Sequence, residues 1–396
     1  MLSRYRPSFG VSEFAAALRI PRTDDVEIFE TAFAQKLGHK HAIAFPYGRT
    51  GLSLLLEALG IKGKEIICPA YTCVVVPNAI AHSGNSPVFV DCEENGFNMD
   101  LDLALEAITE NTAAIIATSL FGEPVDLDRL NAIQREHGHI KIIQDCAHAF
   151  TAEWKGRPVR KHGVAALYGL SISKPMTSIF GGMVATDDDE LARRLRSISR
   201  ERLKPAPLLK SIRRFFYLLF ASFAFIQPVY ALLNRLERAG ISNPIFTDDD
   251  GGETGMPNDF LIAMSPLEAR VGMAQLEKLD RIAESCKKLA KIYNEILDGT
   301  PFLRLPPATE GSVYSTYAAR ISPPEPLVEF MEKQGIELGR FIEYSVEELE
   351  GFKSCKYIGN KLSQRYSETV LNLPTGPHID EISARKVCRL IMEFTG

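Results

Sequence analysis

KIIQDCAHAF (residues 141–150) and ALYGLSISKPMTSIFGGMVAT (residues 166–186) decide how this chain folds. Each opens on an apolar run, 140–143 and 164–170, that reads as a buried strand. Each run leads into a residue that packing alone does not call for: Asp145 after the first, Lys174 after the second. In an open α/β sheet the carboxyl ends of the strands are where ligands bind, so an acid and an amine brought there from two strands are candidate chemistry. A desolvated lysine forms a Schiff base with a carbonyl compound, and a carboxylate keeps a pyridine nitrogen protonated. Together these are a protein's part in pyridoxal phosphate chemistry. A structural ion pair between strand ends accounts for the same two residues equally well.

Working outward, the same alternation recurs on the N-terminal side. Residues 26–37 carry apolar side chains at helical spacing and end at Gly38, a C-cap. HAIAFP then reads as a strand, YGRTG as a tight turn, and LSLLLEAL as a helix stopped by Gly60. A strand, a glycine turn and a helix N-terminus form an anion site, because free backbone N–H groups and the helix dipole converge there. Gly48, Arg49 and Thr50 are the candidate phosphate cradle, although an ordinary βα turn has the same pattern. Strands EIIC, PVFV and AAIIAT follow, with helical segments around 77–81, 100–108 and 126–137. Strands alternating with helices predict an α/β fold with a mostly parallel sheet covered on both faces. No dinucleotide-binding glycine fingerprint and no nucleoside-triphosphate loop is present.

The chain has 396 residues, 45% of them hydrophobic, enough for one large domain and a smaller one. Its net charge of −5, from 45 basic and 50 acidic residues mixed along the chain, favours neither nucleic acid nor an anionic surface globally. Seven scattered cysteines without a C-x-x-C pair exclude a disulfide framework and a zinc site as expectations. With no apolar signal-peptide core at the N-terminus, the expected location is the cytoplasm, with contact to the inner face of the membrane as an added option.

FPYGRTGLSLLLEALG, EIICPAYTCVVVPNAI, PVFVD, LFGEPVDLDRL, QDCAHAF, SKPMTSIFGGMVATDD, SPLEARVGMAQLEKLD and LNLPTGP occur in the order and spacing of one family. The chain resembles the DegT/DnrJ/EryC1/StrS aminotransferases, dominated by bacterial sugar aminotransferases of pyridoxal phosphate fold type I. The resemblance implies a large cofactor domain over residues 1–203 and an apolar insertion with an acidic loop over 204–258. A linking helix and a small C-terminal α/β domain fill 259–396. It implies pyridoxal 5'-phosphate as cofactor, a keto-sugar nucleotide as acceptor, an amino acid such as glutamate as donor, and a homodimer.

Carried over residue by residue, Lys174 resembles the lysine that holds the cofactor covalently and shuttles the substrate's α-proton. Asp145 resembles the acid paired with the pyridine nitrogen. His148 stands where the family usually has glutamine beside the ring hydroxyl, and a satisfied buried histidine is the alternative. The family often has a serine at the position of Gly169, so Ser171 or Ser173 is expected to replace it at the phosphate. The aromatic that stacks on the ring aligns with Cys73, leaving Tyr71 as a stand-in or as ordinary packing. An asparagine that reaches the partner subunit aligns near Leu261 and does not carry over. Ser315, Tyr317 and Arg340 are secondary substrate candidates, with packing or surface roles preferred for each. Sugar dehydratases of this family carry histidine at the lysine position. Lys174 therefore points to amino transfer, with another pyridoxal phosphate reaction or a catalytically silent binding homologue as alternatives.

One stretch stands outside this reading. FFYLLFASFAFIQPVYALL, from Phe215 to Leu233, has 19 residues without a charge, flanked by Lys210, Arg213 and Arg214 on one side and Arg235 and Arg238 on the other. Gln227-Pro228 interrupts it, so a single membrane span is not expected. The preferred expectation is a helix buried at the dimer interface or over the core. The alternative is a bent helix lying in a bilayer interface.

Overall fold

The computed structural model describes residues 1–225, 229–230 and 255–394. Eight strands form one sheet in the order His41–Phe45, Gly182–Thr186, Ala165–Gly169, Lys141–Asp145, Thr112–Thr118, Glu65–Pro69, Ser86–Val90, Lys356–Ile358. Six of them run parallel in one contiguous block from Ala165–Gly169 to Lys356–Ile358. Strand Gly182–Thr186 runs antiparallel to both of its neighbours. Three crossovers in the parallel block carry helices, which fall where the apolar periodicity places them: Val75–His82, Leu101–Glu106 and Leu127–Glu136. Asp100 and Asp126 cap the last two through their side chains. Two apolar layers result, one on each face of the sheet.

The entry helix Asp25–Leu37 ends on Gly38 at φ 74°, a left-handed C-cap. The long amphipathic pattern after Pro266 is two helices, Pro266–Leu276 and Leu279–Leu297. The first, capped by the Ser265–Glu268 box, packs against Val11–Leu18 and Asp25–Leu37 on the large body. The second belongs to a separate apolar cluster with the two-stranded sheet Tyr317–Arg320/Val370–Leu373 and the helix Glu381–Glu393. The C-terminal region also returns to the large sheet through Lys356–Ile358. Asp91, at the end of Ser86–Val90, secures that return by accepting hydrogen bonds from the backbone of Asn360, Leu362 and Ser363 and from the Ser363 hydroxyl.

Within the apolar insertion, residues 226–228 and 231–233 lie outside the described residues, as does the acidic loop apart from Gly255. The described part begins with a helix, Leu208–Ala224. It covers the large domain with one face only. Leu218, Ala221 and Ala224 are buried, while Leu208, Leu209, Ile212, Phe216, Phe220 and Phe223 are exposed. Burial over the core, one of the two places expected for this segment, therefore holds for half of the helix. Among the described residues no helix is long and apolar enough to cross a membrane.

Candidate active site

Parallel strands bring their carboxyl ends to one edge, and there the chain collects its out-of-place polar groups. Strand Lys141–Asp145 delivers Asp145, which is buried; its Oδ1 accepts the Ala147 N–H at 3.0 Å and its Oδ2 lies 3.5 Å from the Thr118 hydroxyl. Burial raises the Asp145 pKa, opposed by the Ala147 hydrogen bond and the Lys174 charge. Lys174 sits beyond strand Ala165–Gly169 in a turn closed by its own N–H to the Ser171 carbonyl, 3.1 Å. The Tyr5 hydroxyl fixes that turn from the N-terminal segment, donating to the carbonyls of Ile172 at 2.6 Å and Lys174 at 3.0 Å.

Lys174 Nζ lies 2.9 Å from His148 Nε2. A protonated amine can only donate, so the imidazole accepts there and carries its proton on Nδ1. Burial, and then the Lys174 charge, push the His148 pKa well below its ordinary value, which keeps the ring neutral. Its Nδ1 is buried without a hydrogen-bond partner. Phe121 and Phe341 flank the ring at 5.9 and 5.5 Å between centroids. Against the alternative of a satisfied, partly buried histidine, one ring nitrogen here has no hydrogen-bond partner.

The glycine turn becomes the N-terminus of helix Gly48–Ala58, and no side chain caps it. The first N–H groups of the helix, those of Gly48, Arg49 and Thr50, point out of its N-terminus, the arrangement that favours an anion. Close approach of this turn to the sheet depends on Gly182, where a Cβ would lie 2.4 Å from the Gly48 nitrogen. Gly169 has an equally local reason: a Cβ there would lie 3.2 Å from Lys174 Cε, so the absence of serine leaves room for the lysine chain. Ser171 and Ser173, with hydroxyls 3.2 Å apart, line the same cleft.

Gly48, Arg49, Cys73, Asp145, His148, Ser171, Ser173 and Lys174 thus come together around one cavity. Two expected residues do not join them. The Thr50 hydroxyl donates to the Phe260 carbonyl at 3.0 Å, leaving only its backbone for an anion. Tyr71 is fully buried, stacked on Phe97 at 5.7 Å, and is not part of the cleft wall. This corrects Tyr71 as the ring-stacking stand-in. Its hydroxyl donates to the carbonyls of Phe341 at 3.1 Å and Ile342 at 3.0 Å, so it anchors from behind the segment that covers the cleft. Ile342 takes a φ of 63°, strained for a β-branched residue.

Among the secondary candidates, Tyr317 donates to Asn294 Oδ1 at 2.5 Å and Arg340 pairs with Glu325 and Glu343, both structural roles. Ser315 lines a smaller cavity that shares Ser173 and Phe341 with the cleft. Sequence reasoning missed Tyr47, Thr118, Gly182, Phe341 and Ile342. The Gly181-Gly182 doublet was a readable signal for one of them, whereas Phe341 and Ile342 reach the cleft from about 170 residues away, a distance no local pattern reveals.

The DegT/DnrJ/EryC1/StrS aminotransferase family profile matches residues 11–215 and 235–392. The fold is similar to that of S. venezuelae DesV, solved with a ketimine intermediate, at 24% identity and TM-score 0.75 over 96% of this chain and 93% of that one. It is equally similar to the Helicobacter pylori aminotransferase PseC of pseudoaminic acid biosynthesis, 19% identical, TM-score 0.76, over 98% of each chain. GDP-4-keto-6-deoxymannose-3-dehydratase (ColD) aligns at 20% identity and TM-score 0.78 over 99% of this chain and all of that one. This chain belongs to the DegT/DnrJ/EryC1/StrS aminotransferase family, with the fold type I architecture and pyridoxal phosphate as cofactor. The cleft fits that cofactor on its own terms. It offers uncapped helix N–H groups for a phosphate, a glycine-shaped approach at Gly182, a buried acid, an orphaned imidazole nitrogen and a lysine amine.

Proposed function

We propose that this protein transfers an amino group from an amino acid such as glutamate to a keto-sugar nucleotide. We place it, as a homodimer, in bacterial polysaccharide or glycoconjugate biosynthesis. The observation that carries this reading is the Lys174 amine held 2.9 Å from a neutral His148, in the same cavity as the buried Asp145. Pyridoxal phosphate, when bound, supplies the electron sink and carries the amino group between the two substrates.

The chain's own residues do the rest. Gly48, Arg49 and Thr50 would bind the phosphate through backbone N–H groups, assisted by Ser171 and Ser173. Asp145, whose charge is costly in its buried place, would be stabilised as a carboxylate by a protonated ring nitrogen and would in turn keep that nitrogen protonated. Lys174 would hold the cofactor covalently and, as a free amine, would move a proton at Nζ, with His148 Nε2 orienting it by the hydrogen bond. Phe341 and Ile342 exclude water from above. ColD shows that the architecture also accommodates dehydration, and the presence of a lysine at 174 favours amino transfer here.

The test uses purified holoenzyme. Adding glutamate should bleach the cofactor's absorbance band, and adding the right member of a panel of keto-sugar nucleotides should restore it with formation of an amino sugar. A cofactor band that no amino acid alters would support a silent binding homologue. Dehydrated product without nitrogen incorporation would support the dehydratase reading. A fully active monomer at assay concentration would remove the homodimer.

A further inference from the structure

The helix Leu208–Ala224 has two faces of opposite economy. Its inner face is fully used: Lys210 reaches Glu268 at 3.4 Å, and Arg214 meets Glu268 at 2.9 Å and Asp259 at 3.2 Å. Arg214 also stacks over Phe180 at 3.9 Å and donates to the Tyr47 hydroxyl at 3.2 Å, which ties the helix to the residue before the phosphate turn. The outer face carries Leu208, Leu209, Ile212, Phe216, Phe220 and Phe223, each between 43% and 71% exposed. These six fall within one third of the helix circumference at 100° per residue. A contiguous apolar face of this size rarely stays bare on a soluble surface without a partner.

Two further observations bear on what covers it. The family profile stops at residue 215 and resumes at 235, so Phe216, Phe220 and Phe223 stand in a stretch the shared catalytic scaffold does without. From residue 203 to 225 there is no aspartate or glutamate. The two basic side chains there that are not engaged inward, Lys204 and Arg213, are exposed, and Arg213 borders the apolar face. A two-fold contact through this face would set it against itself, bringing cations toward cations with no acid on the face to offset them. An anionic lipid surface suits both features at once: apolar side chains enter below the head groups and the cations remain among the phosphates.

We propose that the outer face of Leu208–Ala224 is a membrane-docking surface that seats the protein flat on a bilayer containing anionic phospholipid. A helix of 17 residues is about 25 Å long and lies in the head-group layer without crossing it. The inference is independent of which sugar the active site accepts, since the outer face carries no residue of the cleft. Arg214 and Tyr47 couple the docked helix to the cofactor domain, so the whole large domain is held at the surface.

The test is co-sedimentation of the full-length holoenzyme with vesicles of phosphatidylcholine alone or mixed with phosphatidylglycerol. Wild type should pellet with the mixed vesicles, less so as salt is raised. The triple variant Phe216→Asp, Phe220→Asp, Phe223→Asp should lose at least ten-fold in bound fraction, with its cofactor absorbance and oligomeric mass unchanged. Lys204→Glu with Arg213→Glu should remove the preference for phosphatidylglycerol. Wild type remaining in the supernatant with both vesicle types would overturn the proposal. So would a triple variant that loses oligomeric mass, because the face would then lie between copies of this chain.

Discussion

The cofactor cleft and the helix Leu208–Ala224 place side chains where their chemistry is costly, in opposite senses. The cleft holds a buried acid, a buried imidazole nitrogen and a partly buried amine, and the helix holds three phenylalanines in water. In the cleft each misplaced group faces the others across one cavity, and a single ligand of known class answers all of them. On the helix the misplaced groups form a surface, and a surface calls for another surface. The contrast shows why a motif-rich stretch discloses its function directly while an apolar one discloses only that something covers it.

The strongest way to break the comparison is at Lys174. Lys174→Ala should abolish transamination, a loss of at least about a thousandfold, because the covalent link and the proton carrier vanish together. Folding should be unaffected, since the lysine is only partly buried and no core contact opens. Borohydride reduction of wild type followed by peptide mapping should place the pyridoxyl group on Lys174; label on a different lysine would remove the assignment. Asp145→Asn comes next. The amide still accepts a hydrogen bond but does not hold a ring nitrogen protonated, so turnover should fall by about a hundredfold, the scale of one preorganised electrostatic contact. Near-normal turnover would reduce Asp145 to a structural role.

Gly182→Ala tests the cradle rather than the chemistry. Its Cβ would collide with the backbone of Tyr47 and Gly48, which cannot yield as a flexible side chain does. Stability should drop by roughly 1–3 kcal/mol, as overpacking does, and cofactor affinity should fall with it. Retained affinity, measured by dialysis against buffer without cofactor, would show that the phosphate turn does not rely on this approach.

The cleft was legible in the sequence where its residues lie in runs. Strand ends, the Gly48 turn, Asp145 and Lys174 all sit beside apolar periodicities that fix their place in an α/β sheet. What escaped was set by three-dimensional approach. Strand Gly182–Thr186 inserts antiparallel between His41–Phe45 and Ala165–Gly169, a register no local pattern states. Tyr71 lies two residues from Cys73 and yet points into an aromatic cluster, because the YTC turn sends the two side chains to different places. The helix Leu208–Ala224 was legible as apolar, but only the fold shows which side of it is covered.

A third region separates the effect of a ligand from that of burial alone. Glu93 and Glu123 follow the ends of strands Ser86–Val90 and Thr112–Thr118, near the same sheet edge as Asp145. Burial, and then the Glu123 charge, push Glu93 up to about 8; burial pushes Glu123 up to about 7, against a hydrogen bond from Thr309. A carboxyl whose folded pKa lies above its unfolded one binds its proton more tightly when folded. Its contribution to stability is complete below about pH 4.5 and is lost as pH rises through about 7 to 8. The unfolding temperature should therefore decline from about pH 5 to about pH 9, and Glu93→Gln should flatten that decline by roughly 1–3 kcal/mol at the alkaline end. An unchanged slope in Glu93→Gln would show that the pair is solvated enough to titrate normally.

The smallest effect sharpens the comparison most, because it is predicted to be nearly nothing. Phe220 is about half exposed on the outer face, and Phe216 and Phe223 are more so. None of the three belongs to the apolar clusters that hold the large domain together. Phe216→Ser with Phe220→Ser should leave the unfolding free energy within about 0.5 kcal/mol, as at other surface positions, and kcat and KM in free solution unchanged. The inner face behaves differently: Leu218→Ala on the same helix removes a fully buried side chain beside Ile179, Phe180 and Leu267 and should cost roughly 2–4 kcal/mol. Chemical denaturation of the two variants side by side measures this asymmetry. If the serine variant is as unstable as Leu218→Ala, the outer phenylalanines are already packed against protein in solution, and the helix no longer contrasts with the cleft.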